Sequence, residues 1–269
     1  MAKRFSKFFS IDSPKAIKAD KFGHINAINY MAPHSTGSTD IYQRKFNLCP
    51  HSSAGCRDLC LGMYSGQAAI VSDLENGTNA TRESRKAKAQ WFMSDRRAFM
   101  AEMTDHVRAL ARKAEKENKK LAIRPNGSTD IAFEYIPTDN GQPLPHRFPE
   151  IQFVDYTKNL KRVLNPDRPK NYHLTFSRSE DNLHEVWQVL MNGFNVAVVF
   201  GKGIPKEYDI FHDIKGMNAP PFPVIDGTEH DLRHLDPQPV IVGLDPKGKK
   251  AKNDTSGFVV RNYIGSVDA

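Results

Sequence analysis

The second half of this chain repeats one rhythm: a short apolar run, a polar loop, and often a stretch with helical spacing. Leu121–Arg124 leads into Pro-Asn-Gly-Ser-Thr-Asp130, and Ile151–Tyr156 into Thr157-Lys-Asn159. Tyr172–Phe176 leads into Ser177-Arg-Ser-Glu-Asp181, and Asn195–Phe200 into Gly201-Lys-Gly203. Pro223–Ile225 leads into Asp226-Gly-Thr-Glu229, and Val240–Leu244 into Asp245-Pro-Lys-Gly248. Runs of this length read as strands, and their alternation with helical stretches specifies βα units on a parallel sheet. With Ile25–Met31 the count reaches about seven, near that of a barrel. The expected fold class is α/β: a single-domain βα barrel, TIM-like or partly open, with a cysteine loop after the first strand. A doubly wound open sheet is the alternative, and periodicity does not separate the two. The expected organisation is a basic N-terminal arm over 1–24, a barrel-like domain over 25–245 with its cysteine loop at 47–62 and a basic helical region at 79–120, and a mobile basic tail over 246–269. In either sheet arrangement the loops after the strands' C-terminal ends share one rim, where ligands bind in parallel α/β folds.

All three cysteines fall within twelve residues, in Cys49-Pro-His-Ser-Ser-Ala-Gly-Cys56-Arg-Asp-Leu-Cys60. Thiolates gather to hold a metal or an iron–sulfur cluster, or to form a disulfide. An odd number cannot pair completely, and three ligands leave the open position that a catalytic centre needs. The N-terminus is basic but lacks the apolar core of a signal peptide, and no apolar run is long enough to span a bilayer. The expected setting is therefore cytoplasmic, without membrane attachment, where thiols stay reduced. Zinc would call for a fourth ligand, His51, His34 or a water.

The formal charge is +7, and residues 81–124 hold 13 Lys/Arg against 6 Asp/Glu, which accounts for all of it. A basic face attracts polyanions. A solvated amphipathic helix explains the same composition. Asn79–Lys88 and Asp95–Lys119 have helical spacing, with Ser94 placed to cap the second. Its apolar stripe, Phe99, Met100, Met103, Val107, Leu110 and Ala111, reads as core packing. Arg96, Arg97, Arg108 and Arg112 are the candidate nucleic-acid contacts.

On the rim, the loop Asn126-Gly127-Ser128-Thr129-Asp130 offers close backbone approach, a hydroxyl and a carboxylate, although Asn-Gly is also an ordinary turn. Asn126, Gly127, Ser128, Asp130, Ser177 and Glu180 are the candidate cofactor contacts, and Asp130, Asp155 and Lys158 the candidate catalytic groups. Arg178, Lys202 and Asp226 are further rim positions. No phosphate loop of Walker or dinucleotide type is present.

The stretches Asn47-Leu-Cys-Pro-His-Ser-Ser-Ala-Gly-Cys-Arg-Asp-Leu-Cys-Leu61, Arg124-Pro-Asn-Gly-Ser-Thr-Asp-Ile131, Asp155-Tyr-Thr-Lys158, Tyr172-His-Leu-Thr-Phe-Ser177, Val196-Ala-Val-Val-Phe200 and Asp254-Thr-Ser-Gly-Phe258 resemble the bacteriophage "gene product 88"-like family. The cysteine pattern is also similar to phage proteins linked to radical-SAM enzymes. That resemblance implies Cys49, Cys56 and Cys60 as ligands of a four-iron cluster, and Asn126–Asp130 as a contact for S-adenosylmethionine. The spacing Cys-x6-Cys-x3-Cys departs from the usual Cys-x3-Cys-x2-Cys. The leading expectation is a phage-encoded iron–sulfur enzyme in the host cytoplasm, acting on nucleic acid or a nucleotide. The alternatives are a zinc-dependent enzyme resembling the guanine transglycosylases, with Asp130, Asp155 or Asp226 attacking a sugar carbon, and a non-enzymatic nucleic-acid-binding or counter-defence protein with a structural metal.

Overall fold

The computed structural model describes residues 5, 7–34, 44–211 and 220–263. Eight strands form one sheet: β1 (His24–Ile28), β2 (Lys120–Arg124), β3 (Gln152–Thr157), β4 (Tyr172–Ser177), β5 (Val196–Val199), β6 (Glu207–Tyr208), β7 (Phe222–Asp226) and β8 (Ile241–Leu244). Their order is β1-β2-β3-β4-β5-β8-β7-β6, and every pairing is parallel except β6 with β7. All seven expected strands are present, within two or three residues at their ends.

The fold is mixed α/β, but the expected barrel does not close. The first five strands follow one another across the sheet as in a barrel. The chain then places β8 beside β5, which pushes β7 and β6 to the outside. The two-residue antiparallel β6 ends the sheet and has no parallel edge to offer β1. At its last residue the edge of β1 is bridged by the N-terminal segment. Ser10 N donates to Ile28 O at 2.8 Å, and Ile28 N to Ser10 O at 2.9 Å. The bridge blocks pairing by another strand at that position. Phe8 and Phe9, in the segment expected to be a basic arm, are buried in the main core.

The helices are α1 (Pro14–Lys18), α2 (Ala54–Asp58), α3 (Leu61–Tyr64), α4 (Ala80–Ser94), α5 (Arg96–Lys116), α6 (Leu144–Arg147), α7 (Leu160–Val163), α8 (Leu183–Met191) and α9 (Gly248–Lys252). Asn79 caps α4 by accepting from Arg82 N at 2.9 Å. The cap of α5 is Asp95, accepting from Ala98 N at 3.0 Å, and not Ser94, whose hydroxyl donates back to Gln90 O within α4. A carboxylate beats a hydroxyl here because it also meets the positive end of the helix dipole. The α5 stripe Phe99, Met100, Met103 and Val107 is fully buried in one core with Ile25, Ala27, Leu121 and Ile123 of β1 and β2. Burying each such side chain contributes about 1.5–3 kcal/mol. The alternate residues of those strands face the other side of the sheet. There Leu232, in the β7–β8 connection, packs on Ala122.

The basic segment is less of a surface than its composition suggests. Arg82 is buried and donates to the carbonyls of Ala68, Met63, Leu74 and Gly77. It thereby ties the 63–77 loop to α4. Lys88 is buried on Phe8 O, and burial pushes its ammonium down to about 8. Arg124 pairs with the buried Asp231 at 3.2 Å.

The tail after Pro246 is not a loose end. Ala251 and Val259 are buried against Leu59, and Val260 bridges to Phe200. Residues 1–4 of the expected arm and 264–269 of the expected tail lie outside the described residues. Among the described residues, no helix is long and apolar enough to cross a membrane.

Candidate functional site

The cysteine segment lies between β1 and β2 in the chain, and its partners come from the loops after β2, β3 and β4. Cys49 precedes a tight turn, with Ser52 N donating to Cys49 O at 3.1 Å. Ser53 caps α2 by accepting from Cys56 N at 3.1 Å, which fixes Cys56 in the first turn of that helix. Cys60 stands just before α3, where its carbonyl accepts from Met63 N and Tyr64 N. The Cys49 thiol donates to Ser128 O at 3.5 Å.

All three thiols are free and half-buried. Burial holds Cys49 far above the ordinary thiol range, and negative charge on Cys60, Asp130 and Cys56 pushes it further, while Lys158 opposes. Burial and then Cys56 raise Cys60 to about 11, against hydrogen bonds to its sulfur from the backbone N–H groups of Gly62 and Met63 and the charge of Arg85. Cys49 and Cys60 thus sit close enough to the neighbouring sulfurs for charge there to oppose their ionisation, and added positive charge would favour it. N–H groups aimed at a sulfur are also what a ligating thiolate uses. Among the described residues, no group of three or more His, Cys, Asp or Glu is arranged to hold a metal ion. His51 is exposed. His34 is half-buried with an unpartnered Nδ1, and its neighbour Pro33 accepts from Leu48 N beside Cys49.

The carboxylates on this rim hold the segment in place. Glu180, after β4, accepts from Ser53 Oγ at 2.8 Å and from Gly55 N at 2.7 Å. A side chain at Gly55 would stand 2.6 Å from Ser256 Oγ and 2.9 Å from Glu180 Oε2, so those two side chains would have to shift to admit it. Asp130 accepts from Lys158 N at 2.9 Å and pairs with Arg162, which also forks onto Glu134 at 2.7 and 2.8 Å. Asp155 is buried under the helices, where Asn126 N, Asn126 Nδ2 and the Tyr172 hydroxyl donate to it. Burial lifts its carboxyl to about 6 despite these donors. Asn126 also accepts from Thr129 Oγ1 and Ile131 N, closing the loop on itself. Gly127 fits under Asn29 O, and Ser128 Oγ donates to Met31 O. The Asn126–Asp130 loop is therefore a seat for the cysteine segment.

Lys158 is left with a free charge. Its ammonium donates to Ser177 Oγ at 3.2 Å, lies over the Phe258 ring at 5.4 Å and acts on Cys49. Arg178 instead holds the carbonyls of Gly257 and Phe258. Asp226 accepts from Thr228 N in its own turn, and Lys202 is exposed. On α5, Arg96 stacks on Phe92 of α4 at 4.8 Å and Arg108 pairs with Asp105 at 2.7 Å, while Arg97 and Arg112 are exposed. The C-terminal contribution of Ser256 and Phe258 escaped a reading by strands and loops. Its only sequence signal was the Asp254–Phe258 stretch, whose carboxylate folds the turn by accepting from Ser256 N and Val259 N.

No curated protein and no solved structure matches this chain. A family does, over residues 9–262, which take in the sheet, the cysteine segment and the C-terminal turn that seats it: the chain belongs to the Gene product 88 family.

Proposed function

We propose that this is a phage-encoded iron–sulfur enzyme of radical-SAM-like type, acting on nucleic acid or a nucleotide. The observation that carries the reading is the gathering of three free thiols where the rim loops of β2, β3 and β4 meet. Cys49 and Cys60 each feel the charge of neighbouring sulfurs, as ligands of one shared centre would.

Cys49, Cys56 and Cys60 would hold the cluster, which supplies the electron for reductive cleavage of S-adenosylmethionine. The Gly62 and Met63 N–H groups and Arg85 offset charge at Cys60. Lys158, hydrogen-bonded to Ser177, is the cation placed to receive an anionic group of a ligand. Asp130, Asp155 and Glu180 position the loops; their oxygens are occupied by Arg162, Asn126 and Gly55. The exposed Arg97 and Arg112, with Arg108, offer a polyanion a face on α5.

One observation favours zinc as a second reading: the buried, unpartnered Nδ1 of His34 would complete a three-cysteine, one-histidine set. Metal and acid-labile sulfide analysis of anaerobically purified protein separates the two. Iron and sulfide near four each per chain, lost in Cys56→Ala, support the cluster. Zinc without sulfide, or iron retained by Cys56→Ala, refutes it.

A further inference from the structure

The opposite end of the sheet, remote in the fold from the cysteines, carries a cavity of about 480 Å³. It opens at the N-terminal ends of the first strands. His24, Lys120 and Gln152 are the first residues of β1, β2 and β3. One wall is apolar, from Leu121 and Ile151 together with Ala111 and Ala114 in the last turns of α5. The other carries His234, from the β7–β8 connection, whose ring meets that of His24 at 5.5 Å, edge to face.

One polar atom of the wall is unsatisfied, and two buried residues close to the lining in sequence carry others. His234 Nδ1 is buried without a partner. Its neighbour Arg233, 1% exposed, has an unpartnered Nε. Asn26, two residues along β1 from His24 and on the same face, is 1% exposed with neither its Nδ2 nor its Oδ1 bonded. Buried polar atoms are left open at a cost of about 1–3 kcal/mol each unless something fills the site. His24 Nδ1 is engaged by Phe22 O at 2.6 Å, and Gln152 Nε2 by Phe153 O and Asn171 O, so Nε2 of the one and Oε1 of the other remain for a ligand.

We propose that this cavity binds a nucleoside monophosphate. The volume falls within the range of small-molecule sites, and a flat heterocycle fits between an apolar helix wall and two imidazoles. An apolar ligand would leave His234 unanswered, whereas a base edge carries both donors and acceptors. The phosphate goes to Lys120, exposed at the mouth and, among the described residues, without a carboxylate in ion-pair range. Lys119 is already held by Asp20 and Glu117. Glu115 and Glu150 flank the opening, which favours one phosphate over three.

The test is calorimetric titration of the full chain with AMP, GMP, CMP and UMP, with the matching nucleosides and with inorganic phosphate. At least one monophosphate should bind with a Kd below 1 mM, at about one per chain. Lys120→Ala, at an exposed position, should weaken that nucleotide tenfold or more and leave its nucleoside unchanged. Ala111→Trp, which fills the cavity from the half-buried side of α5, should abolish both, with native circular dichroism retained. Cys49→Ser should bind as the parent does, which separates this site from the cysteine centre. The proposal is overturned by no saturable binding of any monophosphate, by binding that survives Ala111→Trp, by phosphate alone binding as tightly, or by loss in Cys49→Ser.

Discussion

At the strands' C-terminal ends, the carboxylates are each answered, Glu180 by Ser53 and Gly55, Asp130 by Arg162 and Lys158 N, Asp155 by Asn126 and Tyr172, while Asn29 Oδ1, His34 Nδ1 and Arg178 Nε stay open. At their N-terminal ends Asn26, His234 and Arg233 keep buried atoms open. The first end is a built support with three thiols and one ammonium left over. The second is a cavity short of partners. Charged residues on a ligand-binding rim are therefore poor indicators of chemistry until their partners are known. In this protein the acids most suggestive in sequence are scaffolding.

The sharpest way to break that contrast is at Arg162, which neutralises both Asp130 and the fully buried Glu134. Arg162→Met should cost about 3–5 kcal/mol in urea unfolding, because it leaves buried carboxylates uncompensated. A loss below about 1 kcal/mol would mean that the acids of this end are not held as scaffolding.

A smaller effect tests which end a polyanion uses. The helix α5 starts near the cysteine end with Arg97 and finishes with Lys116, just before β2 begins. If nucleic acid is delivered to the thiols, Arg97→Glu and Arg108→Glu should each weaken binding of a single-stranded oligonucleotide roughly tenfold and lower its salt slope by about 1. Lys116→Glu should do less. The reverse ranking would place the polyanion at the far end.

The smallest effects concern pH. Asp155 is raised from 3.8 to about 6 by burial, so the folded state holds a proton that the unfolded chain releases. This group adds stability as pH falls from 6 to 4. Asp236, also raised to about 6 by burial, acts in the same sense. Burial lowers His173 from 6.5 to about 3 and His234 to about 4, so both cost stability as pH falls below 6.5. Between pH 6.5 and 4, His173→Gln should lose less stability than the parent and Asp155→Asn more. Thermal unfolding across that interval reads both slopes, and slopes equal to the parent's would remove the distinction.

Much of this was legible in the sequence. The seven long strands announced themselves because each is a short apolar run between polar turns, and the rim followed because loops after parallel strands share an end. The eighth, Glu207–Tyr208, is too short and polar to show. Closure was not legible, since it depends on β8 choosing β5 over β7's far side, a non-local pairing. Nor were the fates of the acids, whose partners lie 17 to 127 residues away, as Tyr172 does from Asp155 and Ser53 from Glu180. Local patterns say where a side chain starts, and only the fold says what it meets.

The contact between Gly55 and Ser256 has a bearing on how the protein is made. By Leu244 all eight strands have been synthesised, yet the turn that packs against α2 comes from residues 254–258. On the ribosome the cysteines emerge well before the turn that completes their seat. Loading of any metal into its final geometry must consequently wait until residues 254–258 have been made, and a product that ends after the last strand would carry all three thiols without the place that arranges them.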